Sequence, residues 1–171
     1  PLRRQRQMCI RDSGKAPEAY PHPIYNNVLP HIDVFLENGY TKEEQKMIDE
    51  TRKILNAPDL KVTATCARVP VQDSHSVEID VTLDKETTAE DIKALFDQDD
   101  RVVLVDNPEN NEYPMAINST NKDEVFVGRI RRDDSLENTF HVWCTSDNLL
   151  KGAALNAVQV LEQVMRLKGA N

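Results

Sequence analysis

Glycine is scarce in this chain of 171 residues: five are present, Gly14, Gly39, Gly128, Gly152 and Gly169. They are too scattered to build the glycine-rich turn of a dinucleotide-binding fingerprint or of a P-loop. No Gly-x-Ser-x-Gly segment offers a nucleophile elbow either. The three cysteines, Cys9, Cys66 and Cys144, are odd in number and widely spaced, which argues for reduced thiols over a disulfide framework or a zinc site. The four histidines, His22, His31, His75 and His141, lack the close pairing of zinc-ligand motifs. No stretch approaches the roughly 18 to 20 apolar residues of a membrane span, and no secretory leader pattern opens the chain. These features imply a cytoplasmic protein with no membrane partner.

Charge is the next constraint. The formal net charge is -8, which disfavours nonspecific nucleic-acid binding. Its distribution is uneven, with Arg3, Arg4, Arg6 and Arg11 in a stretch that holds no acid. Residues 1–13 show neither periodicity nor an aromatic residue. They resemble translated adapter read-through and are set apart as an artefactual or disordered tail. Residues 14–30 contain Pro17, Pro21, Pro23 and Pro30, so an extended connector is expected there. The remaining stretch, 31–168, is long enough for one domain.

Periodicity supplies the elements of that domain. Thr41 with Glu44 has capping-box spacing and opens a helix. That helix is expected to end before Pro58 and to bury Met47, Thr51 and Ile54 or Leu55, while Glu43, Lys46 and Glu50 share another face. Leu60 to Val69 is rich in β-branched residues and reads as a strand. His75, Val77, Ile79, Val81 and Leu83 alternate with polar residues, as in a half-buried strand whose apolar face starts at His75. Thr87 with Glu90 reads as a second capping box, followed by a helix to about Phe96. Strands are expected at Arg101–Val105, Glu124–Arg132 and Thr139–Thr145. A last helix, from about Asn148 to Leu167, should bury Leu150, Ala154, Val158, Leu161 and Met165. The order implies an α+β fold: a mixed, mostly antiparallel sheet covered by three helices, with one sheet face left for a partner subunit.

The chemistry gathers around Thr63-Ala-Thr-Cys-Ala-Arg68-Val-Pro-Val-Gln-Asp-Ser-His75. Arg68 brings a planar fork suited to a carboxylate, and His75 a side chain suited to moving a proton near neutrality. From the residues alone, an ion-pairing arginine and a polar histidine at a strand start remain open alternatives. Cys66 reads as a small buried hydrophobe. Glu43 with Lys46 reads, from the residues alone, as solvated helix decoration. Arg129-Ile-Arg131-Arg132 fits either a phosphate contact or a charged edge strand.

Several blocks in order narrow these options: Pro30-His-Ile-Asp-Val, Thr41-Lys-Glu-Glu-Gln-Lys-Met, Ala64-Thr-Cys-Ala-Arg-Val-Pro-Val, His75-Ser, Val127-Gly-Arg-Ile-Arg and Ser146-Asp-Asn-Leu-Leu-Lys-Gly-Ala-Ala-Leu-Asn-Ala-Val-Gln. From about Pro21 to Lys168 the chain resembles the C-terminal part of the aspartate-semialdehyde dehydrogenase family. The resemblance implies a C-terminal domain of the glyceraldehyde-3-phosphate dehydrogenase type. It also implies NADPH-dependent reduction of 4-phospho-L-aspartate to L-aspartate 4-semialdehyde, on the route to lysine, methionine and threonine. In such a protein Arg68 clamps the substrate carboxylate, Glu43 takes its ammonium and Lys46 meets phosphate. His75 serves as acid and base, and Asn148 lies near the nicotinamide amide. NADP is held mainly by an N-terminal domain, which also supplies a cysteine nucleophile, and the assembly is a homodimer or homotetramer. The glycine-rich loop and the nucleophile motif do not occur in these 171 residues, so the chain is expected to be inactive alone. The alternative reading is a stand-alone dimerisation or regulatory module without catalysis. A relative acting on a different acyl phosphate is disfavoured by Glu43, Lys46 and the Asp147-Asn148-Leu149 block.

Overall fold

A computed structural model describes residues 20–169. The expected tail at residues 1–13, the first part of the connector and Cys9 lie outside the described residues. Two compact units are present, one running to Gln72 and one beginning at Asp73. Among the described residues, no helix is long and apolar enough to cross a membrane.

Among the described residues, the first unit is organised around helix α1 (Lys42–Ile54). Its capping box forms as the sequence predicts. The Thr41 hydroxyl accepts the Glu44 N–H at 3.3 Å, and Glu44 Oε2 accepts the Thr41 N–H at 2.7 Å. The expected buried face is not the one buried. Glu44 and Ile48 face inward, whereas Ile54 is 79% exposed. The reason lies in the other Glu44 oxygen, which accepts the backbone N–H of Cys66 at 2.8 Å. That bond turns the Glu44–Ile48 stripe, one helical turn long, toward the residues around Cys66. Among the described residues, Ile24, Leu29, Ile48 and Cys66 are the buried apolar side chains of this unit.

The strand expected at Leu60–Val69 does not form. Its β-branched residues favour extended backbone, but a strand also needs a partner ladder. Arg68 alone pairs, in an isolated antiparallel bridge with Leu29. Side chains hold the rest: Arg52 Nε donates to the Leu60 carbonyl at 2.8 Å, Tyr40 and Thr63 share a hydroxyl bond at 2.9 Å, and Glu44 holds Cys66.

The second unit carries a four-stranded sheet of β1 (His75–Thr82), β2 (Val102–Leu104), β3 (Val125–Arg132) and β4 (Thr139–Ser146). Its order is β1-β4-β3-β2. The β1–β4 and β3–β4 pairs are antiparallel and the β2–β3 pair is parallel, so the chain has the expected mixed, mostly antiparallel α+β architecture. Helix α2 (Ala89–Asp97) lays Ile92 against Val127, Ile130, Phe140 and Val142 to form the core. Its capping box falls one residue later than expected, on Thr88 and Asp91. Thr87 also has the right spacing, but its N–H goes to Asn138 Oδ1 and its hydroxyl to the Lys85 carbonyl. A short helix, α3 (Ala116–Ser119), precedes β3.

Two expectations about buried faces are corrected here. β1 alternates as predicted, yet His75, Val77 and Ile79 are exposed and only Val81 is half-buried. Beyond a π-turn at Leu150–Ala154, helix α4 (Leu155–Leu167) buries none of its residues. Val158, Leu161 and Met165 are 52%, 59% and 43% exposed. The amphipathic pattern is real, but no layer of described residues covers it. β3 is also an interior strand, not an edge, although β2 pairs only with Val125, Phe126 and Val127. Beyond that point β3 bulges between Gly128 and Arg131, and Arg129 adopts φ 54°. The Asp106 carboxylate accepts the N–H groups of Arg129 and Ile130 at 2.9 and 3.2 Å. Lys93 pairs with that carboxylate at 3.1 Å. A buried aspartate thus does the work of the missing neighbour strand.

Candidate functional site

Three of the five candidate residues belong to the first unit. Glu43 and Lys46, one turn apart on α1, form an ion pair at 3.3 Å. Bonding to Glu43, its charge, and then the charge of Glu50 hold the Lys46 ammonium above its ordinary value. The pair therefore presents a fixed cation beside a carboxylate, a combination that can meet an ammonium and a phosphate on one zwitterionic ligand.

Arg68 is held by its backbone and keeps its head group available. Its N–H donates to Leu29 O at 2.8 Å and its carbonyl accepts the Leu29 N–H at 3.0 Å. The guanidinium carbon lies 4.9 Å from the centre of the Tyr20 ring, in the range of a cation–π contact. Among the described residues no carboxylate forms an ion pair with Arg68. A planar, permanently charged fork in that state suits an incoming carboxylate.

Cys66 sits between these groups in sequence but is not built to attack. It is 8% exposed, and its sulfur lies 3.3 Å from Met47 Sδ. Burial first, then the charges of Glu44 and Glu43, push its thiol up. Cys144 is pushed up to about 11 by burial. Both environments work against the thiolate that a nucleophile needs.

Glu44 is a residue whose structural weight exceeds the capping role its spacing predicts. Backbone bonds from Thr41 first and Cys66 second hold its carboxylate below the ordinary value of 4.5. A depressed folded value stabilises the fold above the unfolded value, and that contribution is lost as pH falls through the folded one. The urea midpoint is therefore expected to drop on acidification below about pH 4.5. Glu44→Gln should lower the midpoint at pH 7 and flatten this acid limb. An unchanged limb in the variant would assign the sensitivity to other carboxylates.

The other two candidates belong to the second unit and are tied together. His75 opens β1 in register with Ser146, and its side chain is exposed. Ser74 before it adopts φ 71°. The Ser74 N–H donates to Asn148 Oδ1 at 3.1 Å, and its hydroxyl shares a 3.1 Å bond with Thr120 Oγ1. Asn148 thus anchors the turn that presents His75. This link spans 74 residues, and spacing along the sequence could not reveal it. Asp147 beside it is 2% exposed. It accepts the N–H groups of Leu149 and Leu150 at 2.7 and 3.0 Å and that of Asn121 at 2.8 Å. Asp147 is therefore a buried scaffold under Asn148, a role that the motif reading did not assign to it.

Comparison with known proteins gives one consistent answer. Residues 2–151 match the family described as "Semialdehyde dehydrogenase, dimerisation domain". The aspartate-semialdehyde dehydrogenase of Aquifex aeolicus is 49% identical over 149 residues, covering 87% of this chain and 44% of that protein. The Bacillus subtilis protein of the same name is 45% identical over 171 residues, covering 95% and 49%. The chain thus spans about half the length of the curated relatives it matches. The crystal structure of aspartate semialdehyde dehydrogenase II from Vibrio cholerae, complexed with ASA, aligns with a TM-score of 0.88 at 36% identity. That alignment covers 95% of this chain and 49% of the other. The Candida albicans enzyme with NADP shares the fold, at a TM-score of 0.68 and 24% identity over 92% of this chain and 49% of that one.

Proposed function

We infer that this chain, which belongs to the semialdehyde dehydrogenase family through its dimerisation domain, is the C-terminal half of an aspartate-semialdehyde dehydrogenase. The observation that carries this reading is its likeness, along nearly the whole chain, to proteins of that name. The full-length protein reduces 4-phospho-L-aspartate to L-aspartate 4-semialdehyde in the cytoplasm, as a homodimer or homotetramer, and residues 31–168 form its substrate and dimerisation domain. The isolated chain turns over no substrate, because it holds neither a glycine-rich phosphate cradle nor the nucleophile.

The roles follow from donor and acceptor chemistry. Arg68 binds the substrate α-carboxylate through paired N–H donors. Glu43 accepts from the substrate ammonium and Lys46 meets the phosphate, so binding parts an ion pair that otherwise neutralises itself. His75, exposed at the start of β1, takes a proton from the attacking thiol supplied by the rest of the protein and returns one as the product forms. NADPH, held mainly by the rest of the protein, would supply the hydride. Asn148 fits it to a limited extent: Oδ1 is engaged by Ser74, and the side-chain amino group is a donor of the kind a carboxamide oxygen accepts.

The decisive assay is formation of NADPH by the purified full-length protein from L-aspartate 4-semialdehyde, phosphate and NADP. Absence of turnover overturns the assignment. Within an active protein, Arg68→Lys is expected to lower kcat/KM by about 10- to 100-fold, the range of one lost charge-assisted contact. Unchanged kinetics would remove Arg68 from the substrate site.

A further inference from the structure

His141 converges with Glu78 and Asp80 on one spot of the sheet although it lies far from them along the sequence. Asp80 and His141 are direct cross-strand partners on β1 and β4. Glu78, two residues from Asp80, projects from the same face. One donor atom from each of the three lies within 4.8 Å of the others. The closest approach is between Asp80 Oδ1 and His141 Nδ1, and Glu78 Oε1 lies 2.9 Å from the same ring nitrogen. Donors bound at about 2.0–2.1 Å in a tetrahedral shell stand roughly 3.3 Å apart, so modest side-chain rotation suffices to admit an ion.

A separate carboxylate prepares the ring. Asp133, on the turn after β3, places Oδ2 3.6 Å from His141 Nε2, and its side chain is only 15% exposed. A carboxylate on the far nitrogen of a ligating histidine fixes the ring and turns the other nitrogen's lone pair toward the metal. The charge balance favours a cation as well. Three carboxylates surround the imidazole, and the only basic side chain paired with them among the described residues is Arg131, 3.9 Å from Glu78. Glu78 also lines an open groove of about 730 Å³ together with Arg131 and Trp143, which leaves space for water on the outer side of an ion.

We propose that Glu78, Asp80 and His141 form a divalent-cation site of the zinc class, with Asp133 orienting the histidine. One nitrogen and two carboxylate oxygens suit a borderline ion of this kind, with a fourth position left to water. The site is independent of the proposed dehydrogenase function.

The test uses the purified full-length protein, stripped with a chelator and titrated with Zn²⁺ by calorimetry and with Co²⁺ by absorption. One ion per chain is expected, with a tetrahedral Co²⁺ spectrum free of a sulfur charge-transfer band. His141→Ala and Asp80→Asn should each weaken binding more than 10-fold. Asp133→Asn should weaken it by about 10-fold while preserving the stoichiometry. Glu78→Gln, an exposed and nearly isosteric change, guards against variants that fold poorly. No saturable binding by the wild-type chain would overturn the site and leave His141 as an ion-pair partner of its neighbours. So would equal affinity in all four variants, or a sulfur band placing the ion at a cysteine.

Discussion

Gly128→Ala is expected to lower the stability of the second unit by roughly 3 kcal/mol or more, the upper end of the cost of overpacking a core. A Cβ at this position would stand 2.0 Å from the Val105 carbonyl oxygen, 2.8 Å from Pro114 Cδ and 2.9 Å from the Val105 carbonyl carbon. No side-chain rotation relieves the first contact, because the obstacle is backbone. Nor is that backbone free to retreat, since the Val105 N–H donates to Val127 O at 2.8 Å. Pro114 is pinned too, its carbonyl accepting the Trp143 indole N–H at 3.1 Å. The added methyl group must therefore separate β2 from β3 or displace the Asp106-supported bulge. A fall in the urea midpoint at unchanged m-value is the expected signature. A loss under about 0.5 kcal/mol, the range of an ordinary surface change, would show that the close approach is not maintained in solution.

This constraint shows what the sequence conceals. Gly128 could be read as part of a family block, but its reason for being glycine lies in a carbonyl 23 residues away along the chain. The features legible in advance are those set by neighbours within about four residues. Thr41 with Glu44 is a capping box because each member satisfies the other's backbone. The alternation in β1 and the amphipathic pattern of α4 are likewise present. What the patterns do not encode is which apolar stripe finds a partner. Ile48 is buried because Glu44 reaches Cys66, while Leu161 stays open because no described layer lies over it. The charged run after Gly128 was readable as an edge, and physically it is half of one: β3 is interior as far as Val127, and beyond it a carboxylate replaces the neighbouring strand. In the candidate site, Glu43 and Lys46 could be paired from spacing alone. The bond joining Asn148 to the turn before His75 depends on tertiary structure and could not.

On the proposed reading, His75→Asn in the full-length protein is expected to reduce kcat by about 100- to 10,000-fold, the range supplied by a positioned general acid–base, with KM changed only a few-fold. Asparagine retains a polar side chain of similar reach but cannot carry a proton between donor and acceptor. The substitution should leave the fold almost untouched. His75 is exposed, and its place at the start of β1 is set by backbone pairing with Ser146 and by the Ser74–Asn148 bond, none of which uses the imidazole. Stability is therefore expected to stay within about 0.5 kcal/mol of the parent, as for other surface substitutions. That separation gives the test its force, because a large kinetic loss cannot then be attributed to unfolding. A raised KM with kcat intact would reassign His75 to uniform binding of substrate.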